Sequence, residues 1–175
     1  MLIVGDGAVG LCVVIAAKRL GAEQIVLVGS HEARTALGRE FGATDVFAER
    51  GEEGIARIRE LTGGVDKVIE AVGTRQALDT ALGAVRNGGT ISRLGVPQYE
   101  EGPIGPAEFM RNITPTGGAG PARAYVERLL PDVLDGTIAP GRAFDQTFQT
   151  FPLDGTPDAY RAMADRQVLK APIRP

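Results

Sequence analysis

The chain opens Met1-Leu-Ile-Val-Gly-Asp-Gly-Ala-Val-Gly10, an apolar run broken by glycines at positions 5, 7 and 10. Such a run reads as a buried strand entering a glycine turn. Beyond the turn, Val9, Cys12, Val13, Ala16 and Leu20 recur at helical spacing, which predicts a helix over residues 8–20 with that stripe inward. In a strand-turn-helix of this kind Gly5 makes the tight turn, Gly7 leaves room for a phosphate, and Gly10 lets the helix approach the strand. The first N–H groups of a helix have no partner within it and suit an anion. The opening stretch therefore predicts a dinucleotide cradle.

The same grammar repeats. Strands are predicted at 24–29, 45–47, 65–72 and 90–96, alternating with helices near 30–41, 52–62 and 74–86. Ile55, Ile58 and Leu61 in one helix, and Leu78, Ala81, Leu82 and Val85 in the next, point inward. Asn87-Gly-Gly89 reads as the turn before the fifth strand. Short apolar strands alternating with helices mean βαβ units, an α/β class and a doubly wound parallel sheet. After Pro97 the pattern loosens into a polar loop at 98–106, a helical turn at 107–111, and a sixth strand at 112–118, from Asn112 to Gly118. Pro115 lies in that strand and suits a sheet edge, since proline donates no ladder bond. A helix follows at 121–134, then a tail with a segment at 144–151, a helix at 156–166 and a final apolar run at 168–173. The expected division is a dinucleotide-binding domain at 1–140 and a tail at 141–175.

Composition narrows the function. The 175 residues suffice for one full-sized domain with a small appendage. A net charge of −3 without long single-sign runs points away from nucleic acid and anionic membranes. No stretch has the length and apolarity of a membrane span, and no charged leader precedes the first strand, so a cytoplasmic location is expected. With one cysteine and one histidine, Cys12 and His31, neither an internal disulfide nor a metal site is expected, and Cys12 reads as a packing residue.

The end of the second strand bears on the choice of cofactor. An acid there commonly takes the ribose hydroxyls and repels an added phosphate. Here the position is Gly29, followed by Ser30, His31 and, one turn on, Arg34. A hydroxyl, an imidazole and a guanidinium favour a 2′-phosphate. NADP(H) is expected over NAD(H), and Gly29→Asp is expected to shift the preference toward NAD(H).

Several motifs resemble the zinc-type alcohol dehydrogenases of the medium-chain dehydrogenase/reductase family, in their cofactor-binding domain. They are Gly5-Asp-Gly-Ala-Val-Gly-Leu11, Ala17-Lys-Arg-Leu-Gly-Ala22, Arg39-Glu-Phe-Gly-Ala-Thr-Asp45, Glu70-Ala-Val-Gly73, Arg86-Asn-Gly-Gly89, Leu94-Gly-Val-Pro97 and Tyr160-Arg-Ala-Met163. The resemblance implies a six-stranded sheet of order 3-2-1-4-5-6. Gly5, Gly7, Ala8, Val9 and Gly10 would then lie along the pyrophosphate, and Ser30, His31 and Arg34 by the adenosine 2′-phosphate. Val72 and Gly73 would flank the adenine-side ribose, and Leu94, Gly95 and Val96 the nicotinamide. It also implies a homodimer formed through the sixth strand.

The family carries its zinc ligands and proton relay on a separate amino-terminal domain, and no residue here matches a zinc ligand. The expectation is an NADP(H)-binding domain, catalytically incomplete by itself, whose run at 168–173 is disordered, docked on a neighbouring chain or exposed as an apolar patch. A stand-alone regulatory module, completed by a partner, is the alternative. A reductase using Tyr99, Tyr125 or Tyr160 as proton donor ranks below both, since none has a lysine at short helical spacing.

Overall fold

The computed structural model describes residues 1–100, 105–145 and 149–175. It divides into two compact units, Met1–Tyr125 and Val126–Pro175. In the first unit β1 (Leu2–Val4), β2 (Val26–Val28), β3 (Asp45–Phe47), β4 (Val65–Glu70), β5 (Val85–Arg93) and β6 (Thr114–Gly117) form one sheet. All its pairings are parallel, in the order β3-β2-β1-β4-β5-β6. The crossovers carry α1 (Ala8–Arg19), α2 (Glu32–Phe41), α3 (Gly51–Thr62), α4 (Arg75–Ala84) and the short α5 (Pro106–Met110). Successive strand residues point to opposite faces. Leu2, Val4, Val26, Val28, Val68 and Ile91 therefore share one face, packed with Ile58 of α3 and Ala77, Ala81 and Ala84 of α4. Ile3 and Leu27 point the other way and, like Leu11 and Val14 of α1 and Leu37 of α2, are almost wholly buried. Each such side chain contributes about 1.5–3 kcal/mol through burial.

The inward stripe of α1 differs from the expected one. Gly10, Leu11, Val14 and Ala17 face the sheet, whereas Val9 is 52% exposed, Leu20 is 74% exposed, and Cys12 and Val13 are only half-buried. The cause is a backbone contact. A Cβ on residue 10 would fall inside the van der Waals sphere of the Gly5 carbonyl oxygen and 2.9 Å from its carbon. Gly10 thus lies directly on the turn, and Val14 and Ala17, four and seven positions onward, follow it inward. Both sides of α1 are apolar, so periodicity alone could not select the buried one. In α3 and α4, Ile58, Leu78 and Ala81 are buried as expected, but Leu61 is 42% exposed.

Strand ends shift too. Helix α4 stops at Ala84, and β5 begins at Val85 and runs through Asn87-Gly-Gly89. The register shifts there: Val85 pairs with Val65 and Thr90 with Lys67, so residues 86–89 loop out opposite Asp66, with Gly88 at φ +71°. Strand β5 ends at Arg93, which leaves Leu94, Gly95 and Val96 in the loop beyond it. Strand β6 is shorter than expected. It holds Pro115 opposite Ile91 and stands at the sheet edge. Residues 101–104 of the expected polar loop and 146–148 of the tail segment at 144–151 lie outside the described residues.

Helix α6 (Ala122–Leu134) spans the division between the units. The second unit contains α7 (Arg142–Asp145), β7 (Phe151–Pro152), α8 (Thr156–Ala164) and β8 (Ile173–Arg174). Here the final apolar run corrects an expectation, since it is neither exposed nor undocked. Strand β8 pairs in parallel with β7, and Val168 packs with Phe151, Ala159 and Ala162. Helix α8 supplies the apolar face that the run needs. No helix among the described residues is long and apolar enough to cross a membrane.

Two outcomes follow from this packing. Gly10→Ala sets a methyl against backbone that no rotamer can relieve, so it is expected to cost roughly 3 kcal/mol and lower Tm by about 10 °C; an unchanged Tm in a calorimetric scan would contradict the contact. Burial pushes the Cys12 thiol pKa up, which leaves less thiolate at a given pH. Iodoacetamide at pH 8 is therefore expected to alkylate Cys12 several-fold more slowly than free cysteine, and an equal rate would contradict its burial.

Candidate functional site

The carboxyl ends of β2, β1, β4 and β5 lie side by side, at the switch point where the strand order reverses. The expected residues all collect along this edge. Gly5 leaves β1 at φ +120°, a left-handed conformation that favours glycine, and a Cβ there would lie 2.8 Å from Val72. Gly7 caps α1 without any side-chain capping bond, and a Cβ on it would meet nothing within 4 Å. Open space therefore faces the first turn of α1, whose opening N–H groups have no intrahelical acceptor. The backbone at 8–10 begins that turn, with Val9 exposed. This arrangement fits the pyrophosphate of a dinucleotide.

Asp6, between the first two glycines, was given no role in the sequence reading. Its side chain is almost fully buried and points toward the end of β2. The backbone N–H of His31 donates to Asp6 Oδ2 at 2.9 Å, and the ring Nδ1 of His31 lies 2.8 Å from the same oxygen. Arg34 Nη1 stands 4.0 Å from Oδ1. His31 is the N-cap residue of α2, but its side chain serves Asp6 instead of the helix. A Cβ on Gly29 would lie 2.7 Å from both Cγ and Oδ2 of Asp6, and closer still to its Cβ. Asp6 thus fills the space that a side chain at the end of β2 would take. The expected single exchange at Gly29 cannot be accommodated without moving Asp6.

Ser30 is exposed beside this cluster, and its hydroxyl accepts a hydrogen bond from Arg50 Nη2 at 2.7 Å. Arg50 is the N-cap residue of α3, just past β3. The sequence reading missed it because it lies twenty positions from Ser30. The signal was nonetheless available, since an order of 3-2-1 sets the end of β3 beside the end of β2. Ser30, Arg34 and Arg50 together bring a hydroxyl and two guanidinium groups to one rim.

On the other side of the switch point, Glu70 closes β4 with a fully buried side chain. Its Oε1 accepts from the backbone N–H groups of Val72 and Gly73, both at 2.7 Å. Its carbonyl accepts from Leu94 and Gly95, at 2.8 and 3.1 Å. The two loops meet closely enough that a Cβ on Gly73 would lie 2.9 Å from the carbonyl carbon of Val96, and one on Gly95 2.6 Å from that of Val72. The four N–H groups that Glu70 engages thus fix Val72, Gly73, Leu94 and Gly95 as one piece. A cleft of about 770 Å³ opens beyond, between residues 93–97 and 115–120. Among the described residues, no group of three or more His, Cys, Asp or Glu side chains could hold a metal ion.

The family model described as zinc-binding dehydrogenase matches residues 8–134. The chain is similar to a probable zinc-binding alcohol dehydrogenase of Mycobacterium tuberculosis, 32% identical over 99% of this chain and 44% of that protein. It is also similar to the NADP-dependent isopropanol dehydrogenase of Thermoanaerobacter brockii, 32% identical over 94% of this chain and 48% of that protein. Among solved structures, alcohol dehydrogenase from Thermus sp. ATN1 superposes with a TM-score of 0.84 at 28% identity, over 99% of this chain and 52% of that one. The chain spans less than half the length of these two curated relatives. With its sheet order, its glycine turn and this match over most of its length, the chain belongs to the zinc-binding dehydrogenase family, of which it comprises a cofactor-domain portion.

Proposed function

We propose that this chain is the NADP(H)-binding part of an oxidoreductase that moves a hydride between an alcohol or carbonyl compound and the nicotinamide. The observation that carries the reading is the open, uncapped start of α1 above Gly7. In this reading Gly5, Gly7, Ala8, Val9 and Gly10 lie along the pyrophosphate, and the backbone at the start of α1 gives it N–H donors. Ser30, His31 and Arg34 border the adenosine 2′-phosphate, with Arg50 added from the end of β3. Val72 and Gly73 flank the adenine-side ribose, while Leu94, Gly95 and Val96 line the nicotinamide position. When bound, the nicotinamide supplies or accepts the hydride. The chain's own residues bind it, orient it and cover part of its faces.

Charge at the rim supports NADP(H) over NAD(H). Asp6 is already engaged by His31 and faces Arg34, and Gly29 offers no acid of its own. Two guanidinium groups and the Ser30 hydroxyl match the charge and hydrogen-bonding capacity of a phosphate monoester. The Thermoanaerobacter brockii relative, whose name specifies NADP, supports the same choice. Strand β6 supports a homodimer: among the described residues it pairs only with β5, and Thr114, Pro115, Thr116 and Gly117 are all exposed. Pro115 removes one donor from that edge, so pairing of two such strands would rest on the remaining groups.

Titration with NADPH and NADH, followed by the fluorescence of the reduced nicotinamide, tests the assignment. Arg50→Ala and Arg34→Ala are each expected to weaken NADPH about tenfold, ~1.4 kcal/mol, and NADH less than twofold. Equal losses for both cofactors would remove the 2′-phosphate from this rim. Gly29→Asp alone is expected to weaken both cofactors and lower Tm, because its side chain meets Asp6. Combined with Asp6→Gly, which deletes the colliding atoms, it is expected to favour NADH. A single Gly29→Asp variant with wild-type Tm and improved NADH binding would contradict that packing.

A further inference from the structure

Glu70 and Arg93 occupy paired positions at the ends of β4 and β5. Paired residues on neighbouring parallel strands point to the same face, with backbones about 4.8 Å apart. Along β5 this is the face of Ile91, and along β4 that of Val68, both in the core against α3 and α4. An acid and a base thus stand side by side at the top of that core. Glu70 is wholly buried, and its carboxylate receives two N–H donors on Oε1. Its Oε2 and the Nε of Arg93 are the buried side-chain polar atoms that lack a hydrogen-bond partner among the described residues. A buried carboxylate is costly unless an opposite charge accompanies it.

Arg93 also reaches forward. Its Nη2 donates to the Tyr99 hydroxyl at 2.8 Å, and its guanidinium carbon lies 5.6 Å from the centre of the Tyr99 ring. Next to Tyr99, the Gln98 N–H donates to the Gly73 carbonyl at 2.9 Å. The loop after β5 is therefore tied to the loop after β4 at Gln98 and at the Glu70 carbonyl, and Arg93 bonds the residue next to Gln98.

We propose that Arg93 is a positioning residue for the loops after β4 and β5, which in the reading above flank the adenine-side ribose and the nicotinamide. Its guanidinium is the neighbouring opposite charge that offsets burial of the Glu70 carboxylate under the Val72 and Gly73 N–H groups, without a hydrogen bond between them, and through Tyr99 it holds residues 94–99 beside Gly73. The 2′-phosphate rim, built on Asp6, Ser30 and Arg34, lies outside this linkage. The consequence for ligand binding rests on the cofactor reading above; the structural linkage does not.

Residue-resolved hydrogen exchange on the 175-residue chain tests the linkage without any ligand. In Arg93→Met, the amides of Val72 and Gly73 are expected to exchange at least tenfold faster. Those of Gly5 and Gly29, which donate to the Val28 and Phe47 carbonyls, are expected to stay within twofold. Wild-type rates at Val72 and Gly73, or an equal rise at all four, would overturn the proposal. If Arg93→Met does not fold, Tyr99→Phe decides, since it removes one oxygen: a rise of at least fivefold at the Gln98 amide is expected, and an unchanged rate overturns the clamp. In binding, Arg93→Met is expected to weaken NADPH and NADH alike, at least tenfold, because the 2′-phosphate rim lies outside the linkage. A loss confined to NADPH, or a loss for neither, would also overturn it. Failure of the wild-type chain to bind either dinucleotide would strike the cofactor reading and leave the exchange result to judge Arg93.

Discussion

The contact between Gly10 and the carbonyl of Gly5 is the constraint on which the rest of the molecule depends. It allows α1 to lie directly over the turn from β1, and it fixes which side of that helix faces the sheet. Leu11, Val14 and Ala17 then enter the core in order, and α2 takes its place beside them. The same contact points the start of α1 at the space above Gly7. The packing of α1 and the proposed phosphate site thus rest on one backbone approach, which a methyl group at position 10 would disturb.

Around that turn, acidic groups are used in two different ways. Asp6 occupies the volume beyond the end of β2 and binds the start of α2 through His31, so no carboxylate from β2 itself is needed or tolerated there. Glu70 lies fully inside the protein and gathers four backbone N–H groups, two on its carboxylate and two on its carbonyl. Both are buried acids at the ends of central strands, and both draw loops into fixed positions. Hydrogen bonds to a charged group are stronger than those between neutral partners, by roughly a factor of two, which suits them to holding loops that carry little apolar surface.

How much of this was legible in the sequence depended on whether the signal was local. The glycine turn, the alternation of strands and helices and the edge position of Pro115 were readable, because each follows from neighbouring residues. The sheet order came from the motifs shared with a known family and agrees with the pairing found. The buried side of α1 was misread because both of its sides are apolar, and a backbone contact made the choice. The start of β5 was placed too late because Val85 already pairs with Val65, ahead of the glycines that locally signal a turn. Asp6 and Arg50 were passed over for a related reason: their partners lie 25 and 20 positions away, and only the order of the strands brings them together. The final apolar run was misjudged because the apolar face it packs on, that of α8, lies within the tail itself.

The central claim is that the start of α1 receives the phosphates of a nicotinamide dinucleotide. Following the backbone amide resonances of the chain during titration with NADPH tests it most directly. The account predicts large, saturable shifts at Ala8, Val9 and Gly10, together with Ser30 at the 2′-phosphate rim. Saturable binding whose shifts bypass residues 8–10, or no binding at all, would contradict it.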